Sequence, residues 1–460
     1  MLPRVSIVIV LTIGATAAGS RVQDPAYVRR AVQDAADIRR AGPAFWTRQE
    51  QTRLPDTDEQ RDLRAFYAAT QDRAVWVDGH RRPTDDARRA LTHLRSAFED
   101  GLAPEDYRAA DLARHAAALE AVAEISPTDA TAFDVQLTRS MLRYFRHLHL
   151  GRANPRAQGF HLDHPAEPHD FPGLLRSALA SHALGRAVDG LRPPFVQYRG
   201  LRQALTDYRN RADAKAGQIE LALERLRWLP DVSGRRLIVV NIPMFQVWAW
   251  NASRSDGVPA LDMAAITGQA RATKTPVFMA DLTSVVLNPY WNVPESIANG
   301  EILPAVRRDP DYLTKHHMEI VGEGARSRIR QLPGPWNALG RIKFDLPNPF
   351  DVYLHGTPAV ELFDRPRRDF SHGCVRVSDP LALAAWVLNG EAEWTRARIV
   401  AEIETGRTQP VAVKDHPVVV MFYLTAIADP ETHAVRFADD VYGHDARLAA
   451  WLAARRGGDE

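Results

Sequence analysis

The sequence predicts an α+β multidomain chain: an all-helical N-terminal region, then a mainly β region read as a mixed sheet or sandwich with a helical insert. Three observations carry this. Residues 24–235 place apolar side chains three and four apart among Arg, Asp and Ala. From Arg236 the apolar runs turn β-branched and aromatic, with Pro and Gly between them. The length, 460 residues, suits about two to four domains. The expected division is 1–20 as an export segment, 21–235 helical, 236–405 mainly β with the insert at 288–332, and 406–460 as a strand pair and helix.

The export segment reads MLPRVSIVIVLTIGATAAGS. Arg4 begins it, Val5 to Ile13 form an apolar run, and Ala15, Thr16 and Ala17 supply a small-residue cleavage pattern, the three parts of a secretory signal. The run is shorter than the ~20 residues of a membrane span. Retained uncleaved, it would instead tie the chain to the inner membrane.

Within the helical region, Leu91, Leu94, Phe98 and Leu102 share a stripe, as do Phe133, Leu137, Met141, Leu142, Phe145 and Leu148 in the segment 132–150. Gly151 follows at a C-cap position, and a last helix runs from about Gln218 to Trp228 before Pro230. The arginines alternate with Asp and Glu, the pattern of a solvated helical surface. His147 and His149, two apart, do not share a helical face, which speaks against a metal pair.

In the β region, LIVVNIPMFQVWAW and TPVFMADLTSVVLNP read as strands, and KFDLPNPFDVYLHGT as another that ends at His355. The insert is expected to hold one or two short helices beneath an aromatic-rich loop. Asp379 and Pro380 cap the start of a helix in DPLALAAWVL. VVVMFYLTAIADPETHAVRF is expected to form two strands across a turn at Asp429 and Pro430.

Charge narrows the function. Against 58 Lys and Arg stand 57 Asp and Glu, which argues against binding long polyanions through a massed basic face. There is one cysteine, Cys374, and hence no internal disulfide, thiolate zinc cage or iron–sulfur site. In an exported chain an unpaired thiol is either buried and inert or reactive. A reactive thiol needs a base, and two histidines compete for that role. His372 is two residues away, and His355 lies 19 positions upstream at a strand end. Gly373 permits a tight turn whose N–H groups can face an oxyanion.

H-G-T at 355–357, then S-H-G-C-V-R-V from Ser371, with fifteen residues (Gly356 to Phe370) between His355 and Ser371, resembles the signature of the YkuD-type L,D-transpeptidase domain. ERLRWLP, VVNIPMFQVWAW, NPYWNVP and PGPWNALGRIKF, in that order, resemble the large periplasmic branch of that family. GLAPEDY and YFRHLHLGRANP resemble its helical scaffold. The resemblance spans about residues 45–445.

The resemblance implies Cys374 as nucleophile and His355 as base and acid, oriented by the Gly356 carbonyl. It implies that His372 and Gly373 shape the oxyanion hole, and it makes Ser371 a candidate substrate contact. Arg376 would meet an acidic group or brace the site. Tyr353, Trp291 and Trp336 are candidates to line the cleft, with packing as the competing role. The implied substrates are peptidoglycan tetrapeptide stems, donor and acceptor, in the periplasm, with no metal or organic cofactor. A departure is that residues 198–230 leave no room for the peptidoglycan-binding module this branch usually inserts there. Targeting would then fall to the scaffold, the insert or a cell-wall synthesis partner protein.

Overall fold

The computed structural model describes residues 58–455, apart from 163–168, 253–256, 323, 325–326, 391–392, 431 and 433. The expected export segment, 1–20, lies outside the described residues. The chain forms two compact units. The first runs to Phe98 and takes in Leu102–His147 and His169–Leu191; the second holds Glu99–Gly101, Leu148–Pro168 and everything from Arg192.

The first unit is helical: α1 (Asp58–Ala69), α2 (Asp85–Arg95), α3 (Ala109–Ala121), most of α4 (Pro127–Leu150), α5 (Phe171–Ala180) and α6 (Leu184–Leu191). Pro127 opens α4, where its missing N–H goes unneeded, and Ser126 Oγ accepts the Asp129 N–H at 3.0 Å. The six apolar residues of the α4 stripe are all buried; Phe98, placed on the α2 stripe from sequence, is 40% exposed. Asp134 is buried among them. It accepts the Tyr67 hydroxyl at 2.5 Å and the Val75 and Trp76 N–H groups at 2.8 and 2.6 Å. Burial raises its carboxyl to about 6. His147 Nδ1 lies 3.1 Å from the Tyr107 hydroxyl.

The second unit is built on a mixed sheet. Its strands are β1 (Phe160–His161), β2 (Leu237–Asn241), β3 (Gln246–Trp250), β4 (Leu261–Gly268), β5 (Val277–Asp281) and β6 (Ser284–Leu287). After β7 (Trp291–Asn292), β8 (Met318–Val321) and β9 (Arg328–Gln331) of the insert come β10 (Ile342–Asp345), β11 (Leu354–His355), β12 (Asp369–Ser371) and β13 (Val375–Val377). Then come β14 (Gln409–Ala412), β15 (Val418–Phe422), and a hairpin of β16 (Ala426–Ala428) and β17 (Val435–Phe437). The main-sheet order is β1-β5-β15-β2-β3-β4-β13-β11-β10-β6-β14, with β12 on β4.

Alternation along the strands divides two cores. Ile238, Val240, Val247 and Ala249 face a cluster shared with Leu354, Val375 and Trp386. Val420 and Phe422 pack on the other side against Tyr198, Leu201, Leu223 and Trp228. These last come from α7 (Val196–Asn210), α8 (Ala216–Leu226) and the residues after it. Two helices assigned by pattern to the 21–235 region therefore belong to the sheet's unit, and the 405 boundary falls inside one sheet, since β14 pairs with β6 and β15 with β2 and β5. At Gly151 (φ +82°) a Cβ would meet Glu224 Oε1 and Trp228 Nε1 at 2.8 Å. That close approach requires glycine.

KFDLPNPFDVYLHGT is two strands, β10 and β11, because Pro347 and Pro349 lack the N–H a ladder needs. The insert has its helical segments, including Ala298–Ile302 and Leu303–Arg308, and also a three-stranded antiparallel sheet, β7-β9-β8. Val293, Ile297, Ile302 and Ile329 form its small core. Helix α9 (Pro380–Val387) starts on the Asp379 side chain, which accepts the Ala382 N–H at 2.8 Å. Helices α10 (Arg396–Glu404) and α11 (His444–Ala454) complete the unit.

Candidate active site

Strand register brings the sequence-predicted residues together. β11 runs parallel to β13 with Leu354 opposite Val375 and His355 opposite Arg376, and the Val375 N–H donates to the Tyr353 carbonyl at 3.1 Å. Leu354, Val375 and Val377 point into the core. Side chains alternate, so Tyr353, His355, Cys374 and Arg376 share the opposite face. His355 and Cys374 are diagonal neighbours there. β10 runs antiparallel to β11 with Lys343 opposite His355, which adds Lys343 and Asp345 to that face. Lys343 Nζ lies 4.4 Å over the Tyr353 ring and 2.6 Å from Asp345 Oδ1.

Burial and charge tune this group. His355 is 5% exposed, and its Nδ1 meets the Gly356 carbonyl at 2.5 Å. A carbonyl only accepts, so Nδ1 carries the proton and Nε2 is left as the base. Burial foremost, then the charges of Arg376 and Lys343, push the imidazole down to about 3. Burial raises the Cys374 thiol, while hydrogen bonds from Tyr353 and the Lys343 charge pull it back. The thiol also reaches the Asp351 carbonyl at 3.7 Å. Tyr353 neighbours both Cys374 and Trp291 of β7. Arg376 is held down by burial, and its Nε is buried with no partner among the described residues.

The turn before the cysteine is held from below. Gly373 has φ +118°. Ser371 is buried at 2% exposure, donates to the Cys374 carbonyl and accepts the Gly373 N–H at 3.2 Å. Its hydroxyl therefore braces the turn, and the substrate contact expected of Ser371 gives way to that role. Thr275 Oγ1 donates to the Gly373 carbonyl at 2.8 Å and accepts the Gly268 N–H at 2.9 Å. With both backbone groups of Gly373 engaged, the N–H groups of His372 and Cys374 are those without an acceptor among the described residues. The Gly373 N–H, expected to face an oxyanion, is thus engaged with Ser371. The His372 ring is turned to the insert, 2.7 Å from Glu301 Oε1. Trp336 is engaged elsewhere, 42% exposed and stacked on His317 at 3.8 Å.

Sequence reasoning missed Lys343, Asp345, Thr275, Asp351 and Glu301. Only the first two left a signal: the alternation of K-F-D places Lys343 and Asp345 on one face, opposite Phe344.

Residues 235–420 match the L,D-transpeptidase catalytic domain (YkuD), and residues 61–205 match the Scaffold domain. Over its sheet-bearing region the chain is therefore similar to L,D-transpeptidases. A Haemophilus influenzae (strain ATCC 51907 / DSM 11121 / KW20 / Rd) protein named "Putative L,D-transpeptidase" is 27% identical over 414 residues, covering 84% of this chain and 78% of that protein. The L,D-transpeptidase match ends inside β15, and the Scaffold match ends inside α7.

Proposed function

We propose that this chain is an L,D-transpeptidase that cross-links peptidoglycan stems between their third residues through a thioester on Cys374. The observation that carries the reading is the register of β11 with β13, which sets a thiol and an imidazole with a free Nε2 on one face. Cys374 attacks the carbonyl carbon of the donor's third residue while His355 Nε2 takes the thiol proton. The N–H groups of His372 and Cys374 hold the oxyanion. The tetrahedral intermediate collapses, the C–N bond to the terminal D-alanine breaks, and His355 returns the proton to the leaving amine. The amine of a second stem then attacks the thioester, loses a proton to His355 and expels the thiolate, which is reprotonated. With the thiol raised and the imidazole lowered, both groups rest neutral at pH 7, and the proton moves during attack.

Arg376, half-buried with an unpartnered Nε, offers charge to a stem carboxylate. The insert serves as a lid that keeps water from the acyl-enzyme. The chain acts outside the inner membrane, in the periplasm. The test is to mix the purified protein with disaccharide-tetrapeptide and identify the products by mass spectrometry. Cross-linked dimer supports the reading and tripeptide alone indicates a carboxypeptidase. Cleavage of supplied third-residue dimers without their synthesis indicates an endopeptidase. Full dimer formation by Cys374→Ala refutes the thioester. A carbapenem is expected to leave a stable adduct on Cys374.

A further inference from the structure

We propose that Lys343 is a positioning residue of this site, an ammonium fixed beside the thiol and the imidazole that supplies the counter-charge for developing thiolate. The proposal rests on the reading of Cys374 and His355 as the reacting pair. Register places Lys343 directly opposite His355, and His355 opposite Arg376, so two cations flank the imidazole on neighbouring strands. Lys343 is held in place: Nζ is 2.6 Å from Asp345 Oδ1 and 4.4 Å over the ring of Tyr353, which shares the face of the thiol. Such anchoring removes the rotamer freedom of a long side chain before substrate arrives.

The need for it comes from burial. A sunken thiol resists losing its proton, and a sunken imidazole between two cations is a poor lasting counter-ion. A permanent cation on the same face meets the requirement without relying on imidazolium. The charged and titratable groups facing the pair are Lys343 and Asp345 of β10, Arg376 of β13, and Asp351 and Tyr353 of the segment before β11. On the insert side stands Glu301, already engaged with His372.

Because Cys374 is the sole cysteine, its alkylation by iodoacetamide reads thiolate formation in the full chain without any peptidoglycan. Rates measured from pH 7 to 11 are expected to show the midpoint rising by about one pH unit in Lys343→Met. Lys343→Arg, which keeps the charge and the stacking, should restore it, and Asp345→Asn should lower it. A wild-type profile in Lys343→Met, or an equal shift in Lys343→Arg, overturns the proposal. Where circular dichroism shows Lys343→Met unfolded, Asp345→Asn decides: an unmoved or raised midpoint overturns it. Failure of the wild type to cross-link stems would refute the transpeptidase reading and leave the alkylation result standing.

Discussion

Thr275→Val tests whether the turn that presents Cys374 is held by the hydroxyl beneath it. Valine matches threonine in shape but cannot hydrogen-bond. The substitution removes the donor to the Gly373 carbonyl (2.8 Å) and the acceptor of the Gly268 N–H (2.9 Å) at a residue only 1% exposed. Both partners would stay buried and unpaired, at about 1–3 kcal/mol each, so the expected loss is about 2–6 kcal/mol. Urea unfolding followed by tryptophan fluorescence measures it. Relaxation of the Gly373 turn should also slow acylation of Cys374 by a carbapenem by at least tenfold. Thr275→Ser keeps the hydroxyl and should recover most of both effects. If Thr275→Val unfolds within 0.5 kcal/mol of wild type, or Thr275→Ser falls as far as valine, the turn is held by other contacts and the reasoning fails.

Ser371→Ala strips the Gly373 N–H and the Cys374 carbonyl of their shared partner, so acylation rate should fall while donor KM stays within about twofold; a KM effect alone would restore the substrate-contact role. Because His355 stays neutral down to about pH 3, protonation of this histidine should not produce an acid limb near 6.5 in the acylation profile; a limb there that vanishes in a charge-neutral His355 variant refutes the assignment. The same depression means the unfolded chain binds the proton more readily, so this group's stability is present above about 6.5 and is lost as pH falls toward 3. Asp134 has the opposite sign. Its carboxyl is raised to about 6 in the fold, so its contribution is fully present below about pH 4 and is lost by about 6, on the order of 3 kcal/mol. The difference in melting temperature between wild type and Asp134→Asn, followed from pH 4 to 7, should shift toward the variant as pH rises. Neutralising the exposed Glu301–His372 pair with Glu301→Gln should change unfolding free energy by less than 1 kcal/mol.

Local chemistry made much of the site readable. The end of β11 at His355, the left-handed Gly373 and the Asp379 cap depend on neighbours within a few positions, and each stands where pattern placed it. What pattern could not reach was set by pairing across the sheet. Lys343 joins the site only because β10 aligns it with His355, and Thr275 only because its loop passes under Gly373. The role of Ser371 reversed for the same reason, since exposure is decided by what packs above a residue. Helices α7 and α8 carry an ordinary amphipathic repeat that says nothing about whether the covering partner is a helix or a sheet. The strands of the insert escaped notice because β7 has two residues and β8 and β9 have four each. Such short runs have no period strong enough to read.

One strand sets the order in which this molecule can be finished. β15, drawn from residues 418–422, lies between β2 and β5, which are made about 140 to 180 residues earlier. Until it arrives, the two older strands have no shared neighbour, and the apolar faces of Ile238, Val240 and Phe278 lack part of their cover. A nascent chain halted before β15 would thus already contain His355 and Cys374 yet hold an open seam through the middle of the sheet. Pairings of such long sequence separation form slowly and leave exposed strand edges meanwhile. Thiol reactivity should therefore appear late, with the closing of that seam.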